Sequence, residues 1–209
     1  MFEKILDLIF PDKCMYCGKI GEIICKNCLR KINIPYLFKK VNNDWFDYVF
    51  CGSYYKGIIK HRIHSFKFHK KSYLYKYFIK LCLRERKTYE FLKSFDCITY
   101  VPMSYKKELK RGYNQSKLLA KELGKNLNLP VLNCLEKIKE NKTQSSLSEK
   151  ERIENVKDVY DLAKNVDIKG KNIILVDDIL TTGSTARACS KVLKIHKIGE
   201  ICLFAIAKT

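Results

Sequence analysis

Apolar residues recur along this chain in two rhythms, one suited to helices and one to buried strands. Phe2, Ile5, Leu6, Ile9 and Phe10 share one helical face, and Pro11 ends that helix. Asn33 to Asn43, with Pro35 and a lysine pair, reads as a connector. Trp45 to Tyr55 is rich in Tyr, Phe and Val and predicts one or two strands, and Ile58 to Arg86 reads as helical behind Gly57. Cys97 to Val101 is a short apolar strand ending at Pro102. Asn114 to Leu127 predicts an amphipathic helix with Leu118, Leu119 and Leu123 on one side. The run Ile173 to Val176 suits a buried parallel strand, followed by a helix over Ala186 to Lys194 and a last strand over Ile201 to Ala207. Strands alternating with helices after residue 95 predict an α/β fold built on a parallel sheet flanked by helices.

Length and composition fit this outline. The 209 residues are 46% hydrophobic and 30% charged, enough for a sizeable core and unlike a collagen-like or disordered chain. No apolar run is long enough to span a bilayer. MFEKILDLIF carries Glu3, Lys4 and Asp7 among its apolar positions, unlike a secretion signal, so the expected location is cytoplasmic.

Charge adds a candidate partner. The 41 Lys and Arg against 22 Asp and Glu give +19, a balance that favours polyanions. Residues 51–93 concentrate it, with twelve bases against Glu85 and Glu90, interleaved with ten aromatics. Lys60, Arg62, Lys67, Lys70, Lys71 and Lys76, set among Phe66, Phe68, Tyr73 and Tyr75, could neutralise phosphates while the rings stack on unpaired bases of single-stranded DNA. The alternative is plain: a lysine-rich composition arises from an AT-rich genome, and the same aromatic spacing suits a core helix.

The ten cysteines split into two groups. Cys14-x-x-Cys17 and Cys25-x-x-Cys28 form two knuckles seven residues apart. Together they supply the four thiolates that a tetrahedral, structural Zn²⁺ prefers. Gly18 gives the first knuckle a permissive backbone. A redox Cys-x-x-Cys would explain only one of the pairs. The others, Cys51, Cys82, Cys97, Cys134, Cys189 and Cys202, read as small buried hydrophobes.

The densest chemistry lies in IILVDDILTTGST. A buried strand leads to Asp177 and Asp178, then to Thr181, Thr182, Gly183, Ser184 and Thr185, with a helix opening just beyond. Backbone N–H groups, hydroxyls and a helix N-terminus make a phosphate site of that loop. The carboxylates suit ribose hydroxyls, which donate to them, and can help hold hydrated Mg²⁺. The Walker pattern is absent, because no lysine follows the glycine.

This segment closely resembles the phosphoribosyl pyrophosphate (PRPP) motif of type I phosphoribosyltransferases. The resemblance implies that Asp177 and Asp178 contact the ribose hydroxyls and that Thr181 to Thr185 cradle the 5′-phosphate. A four-cysteine module ahead of it is similar to the ComF family of competence-associated proteins. So are Val101-Pro102 with Lys106 and Lys107, Arg111-Gly112-Tyr113-Asn114-Gln115, and Thr143-Gln144-Ser145-Ser146-Leu147 with Arg152 and Asn155. The likeness covers essentially the whole chain, and implies a zinc module over residues 1–40 and a phosphoribosyltransferase-like domain over 41–209. It further implies a pyrophosphate loop at Pro102–Ser104, often holding a strained cis peptide, with Ser104 as a ligand. A closing loop near Lys139 to Leu147 would let Lys142 reach the leaving group, although a solvated loop lysine serves equally as a reading. Arg111 to Gln115 is either a helix start shaping the pocket or purely structural.

Three function classes follow. The chain is a phosphoribosyltransferase for an unidentified base, with Asp177, Asp178 and Lys142 in the catalytic site. Or it binds PRPP or a 5′-phosphorylated strand end without catalysis while handling DNA during natural transformation. Or it is a zinc-stabilised protein docking onto competence partners. The intact motif weighs against the third, and the basic stretch favours the second.

Overall fold

A computed structural model describes residues 13–14, 16–21, 25–31, 37–41, 43–139 and 159–209. The chain divides into two compact units, Met1–Pro35 and Tyr36–Thr209. The predicted opening helix lies outside the described residues. The first unit contains α1 (Lys26–Lys31).

The second unit is a five-stranded sheet with helices around it. Its strands are β1 (Leu37–Lys40), β2 (Tyr48–Cys51), β3 (Cys97–Tyr100), β6 (Ile173–Leu180) and β7 (Ile201–Lys208), in the order β1-β2-β7-β6-β3. Only β1 runs antiparallel; β2, β7, β6 and β3 are mutually parallel, as the alternating pattern predicts. A small hairpin, β4 (Leu135–Lys137) and β5 (Tyr160–Leu162), forms a second sheet. Ile173 to Val176 and Ile201 to Ala207 are buried along their whole length, because a parallel sheet covered by helices hides both strand faces. Cys51, Leu175, Cys189, Leu193, Leu203 and Ala205 pack in the core beside them. All six cysteines outside the knuckles are buried.

The helices are α2 (Gly57–Phe68), α3 (Leu74–Cys82), α4 (Arg86–Lys93), α5 (Tyr105–Arg111), α6 (Gln115–Leu127) and α7 (Ser184–Ile195). The sequence predicts one helix over 58–86, and the chain instead breaks it between Phe68 and Leu74, where Lys70 takes a left-handed φ of 53°. Folding back brings the rings of Phe66 and Phe78 to 5.6 Å, both fully buried. A continuous helix would hold those residues about 18 Å apart. Residues 37–40, part of the predicted connector, form β1, whose alternate pairing with β2 gives the sheet an antiparallel edge.

Helix α6 is closed at both ends. The Asn114 side chain accepts the N–H of Lys117, and Asn128 caps the far end with φ 56°. Leu119, Leu123 and Leu127 are buried one turn apart, which seats the helix on the sheet beside β3 and β6.

Candidate functional site

The parallel strands end on one side of the sheet, where loops meet helix N-termini, the usual place for a ligand in such folds. Strand β6 delivers Asp177 and Asp178 there. Asp178 is 9% exposed and Asp177 is partly buried. Asp177 Oδ1 accepts the Asp178 N–H at 2.8 Å and the Ser116 hydroxyl at 3.3 Å. Burial, and after it the negative charge of Asp178, hold the Asp177 carboxyl well above the ordinary carboxylate range, against the pull of these hydrogen bonds and of Lys67. The Lys67 ammonium lies 2.8 Å from Asp178 Oδ2, with the two side chains 19% and 12% exposed.

Past β6 the chain turns through Thr181 and Thr182 into Gly183, whose φ of 74° is left-handed, and α7 begins at Ser184. A Cβ at Gly183 would sit 3.3 Å from Leu180 Cδ1 and 3.6 Å from Arg187 Nε, so the turn is both left-handed and close-packed. Thr182 and Ser184 share a hydrogen bond of 3.1 Å, and the Arg187 guanidinium donates to the Thr182 carbonyl. Thr181 and Thr182 are exposed, while Ser184 and Thr185 are partly buried. The loop therefore offers hydroxyls and the N-terminal N–H groups of a 12-residue helix to an anion, the Ser184 N–H meanwhile donating to Thr182 Oγ1 at 3.4 Å.

Arg111 to Ser116 binds the neighbouring parts together. Asn114 Nδ2 donates to the Val101 carbonyl at 3.2 Å, Arg111 donates to Gln115 Oε1 at 3.1 Å, and the Tyr113 hydroxyl donates to the Phe66 carbonyl. The Phe66 and Tyr113 rings stack at 5.6 Å, and the Arg111 guanidinium lies 5.2 Å from the Phe68 ring centre. Ser104, after β3, is buried, and neither its Oγ nor Gln115 Nε2 has a protein partner among the described residues. The cis peptide expected at Pro102–Ser104 is absent: every described peptide bond is trans. Lys142 and the expected closing loop from residue 140 onward lie outside the described residues.

The basic stretch does not present one continuous face. Lys60, Lys70, Lys71 and Lys76 are exposed and Arg62 is partly buried, while Lys67 is engaged by Asp178. Phe66 is wholly in the core; Phe68 and Tyr73 are 58% and 50% exposed. The charge and ring pattern could not separate these, because helix packing decides which ring points inward.

In the first unit the thiols of Cys14, Cys17, Cys25 and Cys28 all lie within 4.8 Å of one another. Cys17 Sγ and Cys25 Sγ are 3.7 Å apart. A tetrahedron with metal–sulfur bonds of about 2.3 Å sets its sulfurs about 3.8 Å apart, so the cluster has the dimensions of a four-thiolate metal site. The Cys25 N–H donates to Cys14 Sγ at 3.4 Å and the Cys28 N–H to Cys25 Sγ at 3.4 Å. Burial opposes a thiolate at Cys14, but the N–H groups of Cys25, Cys17 and Tyr16 outweigh it and bring that thiol down to about 6. Gly18, at φ 76°, returns its N–H to the Cys14 carbonyl at 2.9 Å and closes the first knuckle.

Comparison with known proteins gives the following relatives. Residues 109–208 match the phosphoribosyl transferase domain family. Competence protein F of Haemophilus influenzae is 31% identical over 205 residues, covering 92% of this chain and 84% of its own. DNA utilization protein YhgH of Escherichia coli strain K12 is 28% identical over 152 residues, 70% of this chain and 66% of its own. An adenine phosphoribosyltransferase of known structure aligns over 68% of this chain and 74% of its own, at 17% identity and a TM-score of 0.44. Among the described residues, no helix is long and apolar enough to cross a membrane. The parallel sheet with its acidic strand end is the type I phosphoribosyltransferase fold, and the cysteine cluster accompanies it at the N-terminus. The chain belongs to the ComF family of phosphoribosyltransferase-like competence proteins.

Proposed function

We propose that the second unit binds PRPP and that the protein uses this site while handling single-stranded DNA in natural transformation. One observation carries the reading: two adjacent carboxylates in the last half of β6 stand two residues ahead of a hydroxyl-rich, left-handed turn at the start of α7. Asp177 and Asp178 accept the ribose hydroxyls, and Thr181, Thr182, Gly183, Ser184 and Thr185 hold the 5′-phosphate through backbone N–H and hydroxyl groups. The buried Ser104 hydroxyl, without a protein partner, serves the pyrophosphate end. Lys142 remains a candidate for closing over the same group.

The all-oxygen donor set of Asp177 and Asp178 fits hydrated Mg²⁺. That ion would neutralise pyrophosphate as a leaving group. The residues themselves orient the ribose, and the α7 N-terminus fixes its phosphate, so binding precedes any question of catalysis. The four thiols at Cys14, Cys17, Cys25 and Cys28 hold a structural Zn²⁺. Exposed Lys60, Lys70, Lys71 and Lys76, with Phe68, Tyr73 and the partly buried Arg62, are the residues that meet DNA, as separate contact points and not as one continuous face. The relatives named competence protein F and DNA utilization protein support the DNA context, and other competence proteins are natural partners.

The test is the melting temperature of the wild type and of Asp177→Asn/Asp178→Asn with PRPP and Mg²⁺. A ligand that binds only the native state raises it. The wild type should shift and the double variant should not; equal shifts refute a role for the acidic pair. Pyrophosphate release on screening nucleobases with PRPP then separates an enzyme from a binding protein.

A further inference from the structure

We propose that Lys67 is a ligand-binding residue of the acidic-pair site, its ammonium meeting the pyrophosphate group of PRPP. This rests on the reading of Asp177 to Thr185 as a PRPP site. The ammonium already lies 2.8 Å from Asp178, at the carboxylate that meets the ribose. A lysine there can pivot from Asp178 to a neighbouring anionic group without moving its backbone.

The position of Lys67 is built rather than incidental. It sits in the last turn of α2, and that turn is gripped on both sides of it by one segment: Tyr113 bonds and stacks on Phe66, and Arg111 covers Phe68. The same segment holds Val101 through Asn114 and Asp177 through Ser116. Lys67 and Asp177 thus hang from a single frame, with Asp178 bonded to both, as a preorganised site requires.

Charge assigns the group that Lys67 serves. A doubly anionic ligand approaching two carboxylates alone is repelled. The 5′-phosphate has the Thr181 to Thr185 loop and the α7 N-terminus. The second anionic group meets only the short helix α5, seven residues long behind Ser104, and among the described residues Lys67 is the cation that forms an ion pair with the acidic pair. Ser104 Oγ, at the start of α5, and Gln115 Nε2, within the segment that grips the Lys67 turn, are buried without a protein partner among the described residues and are further donors for that group. Paired with an anion, a lysine serves as a point charge with three donors, able to satisfy a carboxylate and a phosphate oxygen together.

Calorimetric titration of the full chain with PRPP and with ribose 5-phosphate, each with Mg²⁺, tests this. The proteins are the wild type, Lys67→Met, Lys67→Gln and Asp177→Asn/Asp178→Asn, with melting curves to establish folding. Loss of a charge-assisted hydrogen bond should weaken PRPP binding by Lys67→Met roughly 10- to 100-fold. Ribose 5-phosphate, which lacks the pyrophosphate, should change by less than about threefold. Lys67→Gln, which keeps a donor beside Asp178 without the charge, should behave like Lys67→Met and serves if that variant does not fold. Unchanged PRPP affinity, tighter PRPP binding (the mark of a mere counter-ion to Asp178) or equal losses for both ligands overturn the assignment while leaving the PRPP site standing. A wild type that binds no PRPP overturns both.

Discussion

Ser116 Oγ lies 3.3 Å from Asp177 Oδ1, linking residues 61 apart in the sequence. The contact makes the aim of a carboxylate at the end of β6 depend on how α6 begins. That beginning is set one step earlier, where Asn114 caps the helix and ties it to Val101.

Asn114→Ala should therefore act twice. Removing the cap should cost about 1–2 kcal/mol, read as a lower urea midpoint at unchanged slope. Ser116 then loses its fixed position, so PRPP should also bind more weakly to the folded variant. A cap role alone would lower the midpoint and leave binding intact.

Asp177 gives a pH signature. Its carboxyl is raised in the folded protein, so the native state holds that proton more tightly than the unfolded chain does. The stability it contributes is complete below the unfolded value of about 3.9, and is lost as pH rises through the raised native value. Asp177→Asn should consequently melt above the wild type at pH 8, by at least ~1 kcal/mol or roughly 2–4 °C. The gap should close toward pH 4. Denaturation curves across that range, without ligand, decide it.

Gly183→Val should lose PRPP binding and some stability. A side chain at φ 74° costs about 1–2 kcal/mol, and Leu180 Cδ1 already stands 3.3 Å from the position its Cβ would take. The expected drop in melting temperature is roughly 2–8 °C, with no further response to PRPP.

Much of this site is legible in the amino-acid sequence itself. The apolar run into Asp177-Asp178 and the Thr-Thr-Gly-Ser-Thr loop follow one another in the chain, so local pattern alone places them on a strand, a turn and a helix start. Asn114 was readable as a helix start for the same reason. Lys67 was legible only as one base among twelve, because its meeting with Asp178 depends on how α2 packs against the end of β6. Arg187 carries no sequence signal either, since its guanidinium reaches the loop by folding back over the turn to Thr182. The break at Lys70 was hidden as well: the apolar spacing of Ile59, Ile63, Phe66, Tyr77 and Leu81 fits one helix as well as two.

The cysteine cluster predicts one Zn²⁺ per chain by elemental analysis. Chelation, or Cys25→Ser, should make the segment around residues 13–31 sensitive to protease. The sheet unit should survive, since Phe46, Leu175 and Leu203 and their neighbours form its own core. Structural zinc contributes on the order of 10–16 kcal/mol to such modules. A cluster still protected after metal removal would refute the zinc assignment.

Single-stranded DNA should bind better than duplex, with affinity falling by a logarithmic salt slope of about −0.7 per neutralised phosphate. Replacing exposed Lys70, Lys71 and Lys76 with Glu should abolish fluorescence anisotropy changes on labelled oligonucleotides. Because Lys67 is spared, the PRPP response should persist in that triple variant. Unaltered DNA binding there would remove this surface from the interaction.

Strand β7 lies between β2 and β6 although it is the last of the five to be made. During synthesis, β2 and β6 therefore expose adjoining strand edges until Ile201–Lys208 leaves the ribosome and fills the gap. Any chain that stops short of residue 201, whether by a nonsense codon or by nicking, carries two apolar open edges and should be cleared by proteases or aggregate rather than persist as a partial domain.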